Sequence, residues 1–191
     1  MSNPTPAPVV VNNPAAGVVN NAPPTVVIQP PVPAPAPMPA IVPLVDQNLV
    51  ASIVFTKNSA GQTMPIGENA DYGGWRTFQI GELKAYDAVG RLLTSSDYSS
   101  VVYNNGGFGF PGSNLIDGDP KTFTHTSGLD PIHQMTVTLK TPVNISKVQV
   151  LNRADCCQAR LNGTVCEFKR SNGTVIKQFV LTSDMVQNLS L

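Results

Sequence analysis

Charge is what this sequence has least of. Lys, Arg, Asp and Glu make up 13% of the 191 residues and cancel to a formal net charge of zero. The basic residues are scattered, so the chain lacks the field that general nucleic-acid binding requires. Long apolar runs are missing too, and none approaches the ~20 residues of a membrane-spanning helix. Met1 to Pro6 offers neither a basic start nor a continuous apolar stretch, so no secretory signal is expected. Helical periodicity is nearly absent. Gly-x-Ser-x-Gly, His-Glu-x-x-His and Gly-Lys-Ser/Thr do not occur, and no enzyme is expected. The glycine-rich run Gly106 to Gly112 has no lysine and no helix after it, so Phe108 and Phe110 are expected to pack or to rim a site. His125 and His133 have no third metal ligand at suitable spacing and are expected to be satisfied or exposed.

What is present divides the chain. Met1 to Val45 carries no charged side chain and holds thirteen of the eighteen prolines. Proline fixes φ and removes a donor, so this part can build neither helix nor sheet interior. It is expected to be an extended arm over residues 1–47, reaching up to roughly 140 Å at about 3.1 Å per residue. Apolar pieces such as Val9-Val10-Val11 and Val26-Val27-Ile28 exceed what solvated linkers carry, which points to contacts with neighbours.

From residue 48 onward the signals are short strands punctuated by Gly, Asn and Asp. Leu49 to Thr56 is apolar and β-branched, and Met135, Val137 and Leu139 alternate with Thr136 and Thr138. A further strand is predicted over Ile145 to Leu151, after Pro142. Val165 to Lys169 and Val175 to Leu181 flank Ser171-Asn172-Gly173-Thr174, the strongest hairpin signal. Asn162-Gly163-Thr164 reads as another hairpin turn. Residues 48–191 are therefore expected to form one all-β domain, a β-sandwich large enough for its own core.

The densest chemistry lies in Asn152-Arg153-Ala154-Asp155-Cys156-Cys157-Gln158-Ala159-Arg160-Leu161-Asn162-Gly163. In extended backbone Arg153 and Asp155 share a face, so the carboxylate can fix the guanidinium plane and leave donors free. Arg160 can return from the following loop. Two oriented Arg forks beside a small apolar element suit a polyhydroxylated ligand. The same Arg-x-Asp pair also serves as an ordinary loop brace. Adjacent Cα atoms ~3.8 Å apart would strain a bridge between Cys156 and Cys157, and two reduced core cysteines are equally open. If the two bridge, Cys166 is left unpaired.

This run resembles the signature of fucolectins (F-type lectins), relatives of the discoidin or coagulation-factor type C domains. Their pattern is an upstream histidine followed by Arg-x-Asp-Cys-Cys-x-x-Arg-(Leu/Ile)-x-Gly. Arg153, Asp155, Cys156, Cys157, Arg160, Leu161 and Gly163 match, and His125 supplies the histidine at slightly longer spacing. The resemblance implies a jelly-roll sandwich in which His125, Arg153 and Arg160 hold fucose. It also implies a vicinal Cys156–Cys157 disulfide against the sugar's apolar side. Ser113-Asn114-Leu115-Ile116-Asp117-Gly118-Asp119 resembles the family's calcium loop, which implies Asn114, Asp117, Asp119 and Thr122 as ligands. The family's last ligands, a Cys-Glu pair, stand in its closing strand. Here Cys166-Glu167 directly follows the arginine motif, while Phe78 to Asp87 resembles the closing strand and precedes the loop. The resemblance therefore implies a circularly rearranged order with Glu82 as the remaining ligand.

The sequence is also similar to fucolectin-like domains encoded by large eukaryotic DNA viruses. With the charge-free arm, this implies a structural protein, a minor capsid or virion component whose arm contacts other capsid proteins. The alternative is a calcium-dependent fucose-binding lectin acting in attachment to fucosylated glycans, with an extracellular location.

Overall fold

A computed structural model of the chain describes residues 48–61, 76–104 and 109–191. The expected arm over 1–47 and Phe108 lie outside the described residues. Among those residues nine strands form: β1 (Leu49–Asn58), β2 (Gln79–Ile80), β3 (Glu82–Asp87), β4 (Tyr98–Tyr103), β5 (Thr124–His125), β6 (Ile132–Leu151), β7 (Val165–Lys169), β8 (Val175–Val180) and β9 (Val186–Ser190). Short 3-10 turns occupy Ser95–Asp97, Gly112–Leu115 and Gln158–Leu161. No helix among the described residues is long and apolar enough to cross a membrane.

The all-β sandwich expected from the short strand signals is what forms. One layer runs β4-β6-β1-β7-β8, antiparallel throughout. The other runs β3-β6-β9, also antiparallel. Strand β6 belongs to both. Its first half alternates His133, Met135, Val137 and Leu139 into the interior, as a half-buried strand requires. Its second half buries Ile145, Val148 and Val150. The phase changes because Asp87 pairs with Ile145 while Tyr86 pairs with Lys147, so Ser146 is an extra residue. Both layers feed one core containing Ile53, Phe55, Leu83, Ala85, Val137, Val148 and Phe168. Full burial of such side chains contributes about 1.5–3 kcal/mol each.

The strand predicted after Pro142 is not separate, since β6 continues through the proline. The reason is local. The β1 ladder skips from Val50–Val143 to Ser52–Thr138, leaving Lys140, Thr141 and Pro142 without ladder partners where the strand changes layers. A residue without an N–H costs nothing there. The Ser171–Thr174 hairpin forms between β7 and β8, with Gly173 at φ 81°. Asn162-Gly163-Thr164 is not a hairpin turn. It follows the 3-10 turn, and its backbone is tied to Leu181 at the end of β8 by Gly163 N–H to Leu181 O and Leu181 N–H to Thr164 O.

The segment Phe78 to Asp87 breaks at Gly81 into β2, which pairs with β5, and β3, which joins the β6 layer. Gly81 N–H donates to Leu151 O at 2.8 Å, and a Cβ at residue 81 would lie 2.9 Å from Asn152 O. The close approach locks the end of β6 against β2. Gly81→Ala is expected to lower stability by about 1–3 kcal/mol, because the contacted atom is backbone and cannot swing aside. Urea unfolding of wild type and variant checks this.

Candidate functional site

Where β6 ends, at Leu151, the chain turns through a loop rather than staying extended. Asn152 makes that turn possible. It is buried, its backbone N–H donates to Met185 O, and its amide nitrogen donates to Gln158 O and Ser183 O. Its Oδ1 accepts from the Arg153 N–H at 2.8 Å. Gln158 Nε2 closes the loop onto Arg153 O at 3.1 Å. These bonds tie the loop to itself and to the Ser183–Met185 segment, as a fixed side-chain platform requires.

Arg153 is held on several sides. Its Nε and Nη2 donate to the two Asp155 oxygens at 2.5 and 2.7 Å. Its Nη1 donates to Gln79 Oε1 at 3.0 Å. Its Cζ sits 3.8 Å from the centroid of the Phe123 ring. Phe110 stacks on Phe123 at 4.5 Å, so the guanidinium and the Phe110 ring cover opposite faces. The Tyr103 hydroxyl donates to Phe110 O and steadies that stack. The Arg153 side chain is 17% exposed and that of Asp155 62% exposed. A brace on the protein surface would leave both wet; here the guanidinium is drawn inward while its carboxylate faces solvent. The arginine holds Asp155 far on the acid side, at about 2.

The Asp155 carboxylate also accepts the Cys156 N–H at 3.0 Å. Cys156 and Cys157 are bridged to each other, and Cys166 is free and buried in β7. Cys157 is the only described non-glycine residue with positive φ, at 65°. Such backbone costs about 1–3 kcal/mol and concentrates at sites. Arg160 follows in the 3-10 turn, against which β2 packs. Lys57 of β1 donates its ammonium to Arg160 O. No described residue hydrogen-bonds the Arg160 guanidinium.

His125 lies in β5, opposite Gln79 of β2. It is half-buried and its ring stacks 5.7 Å from Phe110. Burial lowers its imidazole to about 4; Arg160 and Arg153 add to the fall, against a Thr126 backbone contact. At neutral pH the ring is uncharged, with one donor and one acceptor. His125, Arg153, Asp155, the disulfide and Arg160 are therefore brought to one end of the domain. Sequence reading missed Gln79, Phe123 and Asn152. Phe123 is two residues before His125 and was legible by alternation, whereas Gln79 is recognisable only from the β2–β5 register.

His133 departs from expectation. It is fully buried, and its ring nitrogens make no hydrogen bond of good geometry among the described residues, although the Asp130 backbone lies close enough to act on the ring. Burial lowers its imidazole below the usual range, and nearby Lys57 and Arg76 act the same way while Asp130 opposes. Its place in the inward row of β6 decides this.

The acidic loop also assembles. Thr122 Oγ1 lies 2.8 Å from Asp117 Oδ2, 3.0 Å from Asp119 O and 3.4 Å from Asn114 O. The buried Glu82 accepts the Gly118 N–H at 3.1 Å. Burial raises the Glu82 carboxyl to about 7; the Asp117 charge adds to the rise and the Gly118 N–H opposes it. Among the described residues no three His, Cys, Asp or Glu side chains converge as a metal cluster. The converging donors are instead Glu82 and Asp117 with a hydroxyl and two carbonyl oxygens, a hard-oxygen set that suits calcium. Asp119 Oδ1 is engaged by the Lys121 N–H, and Asn114 Nδ2 donates to Phe123 O. Glu167 pairs with Lys169 within β7. An open groove lined by Thr122, Phe123, Ala154 and Asp155 connects the loop to the ion pair.

Residues 114–185 match the family model of the NedA-like, galactose-binding domain, of the F5/F8 type C group. The matched span contains His125, Arg153, Asp155, the disulfide and Arg160, while Gln79 and Glu82 lie before it. This part of the chain is thus similar to discoidin-like modules for carbohydrate binding or interaction. No curated protein and no solved structure gives a match.

The histidine environments have a measurable consequence. His125 falls from 6.5 to about 4 on folding, so the unfolded chain takes up the proton first and this contribution to stability is lost as pH falls from 6.5 towards 4. Glu82 works in the opposite direction, its contribution fading as pH rises from 4.5 to about 7. In an NMR titration His125 is expected to protonate near 4. A His125 midpoint near 6.5 would contradict the buried geometry.

Proposed function

We propose that the domain binds a sugar through His125, Arg153 and Arg160, with the Cys156–Cys157 bridge as its apolar contact. The carrying observation is the oriented Arg153 fork beside a neutral imidazole. A pyranose offers adjacent hydroxyl and ring oxygens as acceptors, and charge-assisted donors are the stronger kind. A neutral histidine can donate to one hydroxyl and accept from another. L-fucose is the first ligand implied by the fucolectin resemblance, and D-galactose the one implied by the matched family description.

Calcium belongs to this reading as an organising ion. Glu82, Asp117 and Thr122, with Asn114 and Asp119, would hold it, and it would neutralise the buried Glu82 carboxyl beside the exposed Asp117. In calorimetric titration with calcium present, L-fucose or D-galactose is expected to saturate the wild-type protein. Arg160→Ala should weaken binding at least about tenfold without changing the fold, since a charged hydrogen bond contributes about 1.5–3 kcal/mol. Wild-type affinity in the Arg160 variant would exclude this site. Repeating the titration with a chelator should lower the affinity.

For the whole chain we infer a structural role in a virion, with the sugar-binding module displayed on it. The observation favouring this is the uncharged, proline-rich composition of Met1 to Val45, since proline reduces the entropy a segment loses when it is ordered between subunits. Deleting residues 1–45 is expected to block incorporation into particles, scored by blotting purified particles. Normal incorporation would remove the reading.

A further inference from the structure

Gln79 has no role in the motif that singles out the site, and it precedes the span that matches the family model. It is 1% exposed, in the two-residue strand β2 beside His125. Its Oε1 accepts from Arg153 Nη1 at 3.0 Å. A guanidinium can only donate, so the amide must present its oxygen to Arg153 and turn its nitrogen away. That nitrogen is buried and has no partner among the described residues. A buried donor without a partner is unfavourable, and an apolar side chain of the same size would avoid it. The bond that offsets this is the one to Arg153.

The donor count shows what that bond achieves. A guanidinium has five N–H groups. Asp155 takes one from Nε and one from Nη2, and Gln79 takes one from Nη1. Two are left, one on each terminal nitrogen. Phe123 covers one face of the plane. Asp155 alone would leave the fork anchored along one edge, through a carboxylate whose side chain is 62% exposed. Gln79 supplies the second anchor from the buried side.

Building on the sugar-binding reading above, we propose that Gln79 is the positioning residue that fixes Arg153 before the ligand arrives, so that its two remaining N–H groups meet two adjacent oxygens of one sugar ring. Being neutral, Gln79 does this without cancelling the guanidinium charge a second time. A carboxylate in its place would also accept the bond, whereas a methionine would fill the space with only a weak thioether acceptor.

The test uses the full chain. Sugar affinity is measured by calorimetry on wild type, Gln79→Met and Gln79→Glu, with L-fucose and D-galactose as ligands and thermal melting alongside. Gln79→Met is expected to bind about tenfold more weakly while melting at the same or a higher temperature, because the partnerless donor is gone. Gln79→Glu is expected to restore affinity to within about threefold of wild type. A merely structural glutamine would lower the melting temperature and leave the affinity of the folded fraction unchanged, and that result overturns the proposal. Wild-type affinity in Gln79→Met overturns it while leaving the sugar-binding reading intact. Absence of binding by wild type itself overturns both. Should Gln79→Met fail to fold, the side-chain NMR spectrum of the free wild type decides. Separate, slowly exchanging Nη resonances for Arg153 support a fixed fork, and one averaged signal refutes it.

Discussion

Strand β6 pairs with β1 and β4 along its first half and with β3 and β9 along its second, so one continuous segment sets the relation between the two layers. Its length, Ile132–Leu151, lets it cross from one layer to the other. The crossing is tolerated because the residues around Pro142 have no ladder bonds to lose, and the extra residue at Ser146 keeps the second half facing the core. The end of this strand fixes the loop that begins at Asn152. Gly81, packed on the last carbonyls of β6, ties the same point to β2. The position of Arg153 is therefore a consequence of sheet pairing before it is a consequence of its own contacts.

The candidate site gathers several unfavourable terms from the loop, β2 and β5. Cys157 holds the left-handed conformation, Gln79 leaves a donor without a partner among the described residues, and burial lowers the His125 imidazole to about 4. Each would be disfavoured in an ordinary surface loop. Together they hold a guanidinium, an imidazole and a small apolar bridge in one orientation, which removes much of the ordering cost a ligand would otherwise meet. The acidic loop shows a related imbalance, with Glu82 and Asp117 close together and the Glu82 carboxyl raised to about 7. A divalent cation is the natural counterweight to such a pair.

His133 is a different case. It is fully buried, its ring nitrogens make no hydrogen bond of good geometry among the described residues, and it stands two residues before Met135 in the inward row. Nothing in its surroundings uses its chemistry. Strand alternation alone carries it inside, where burial lowers its imidazole below the usual range.

Much of this was legible in the chain itself. Alternation and turn chemistry gave β1, β7, the β7–β8 hairpin and the inward row of β6, because those signals are local and period-two. The spacing of Arg153, Asp155 and Arg160 was enough to expect one site, since neighbours in sequence stay neighbours in a short loop. The sequence could not show that Phe78 to Asp87 would split between two pairings, or that Asn162-Gly163 would close a turn rather than a hairpin. Those outcomes depend on the partner each segment meets. Composition and local spacing thus determined the strand content, the charge-free stretch and the residue types of the site. Tertiary structure alone decided that Gln79 would lie under Arg153 and that Phe123 would back it. Both contacts join segments thirty or more residues apart, and the first also depends on the β2–β5 register, which no local pattern encodes.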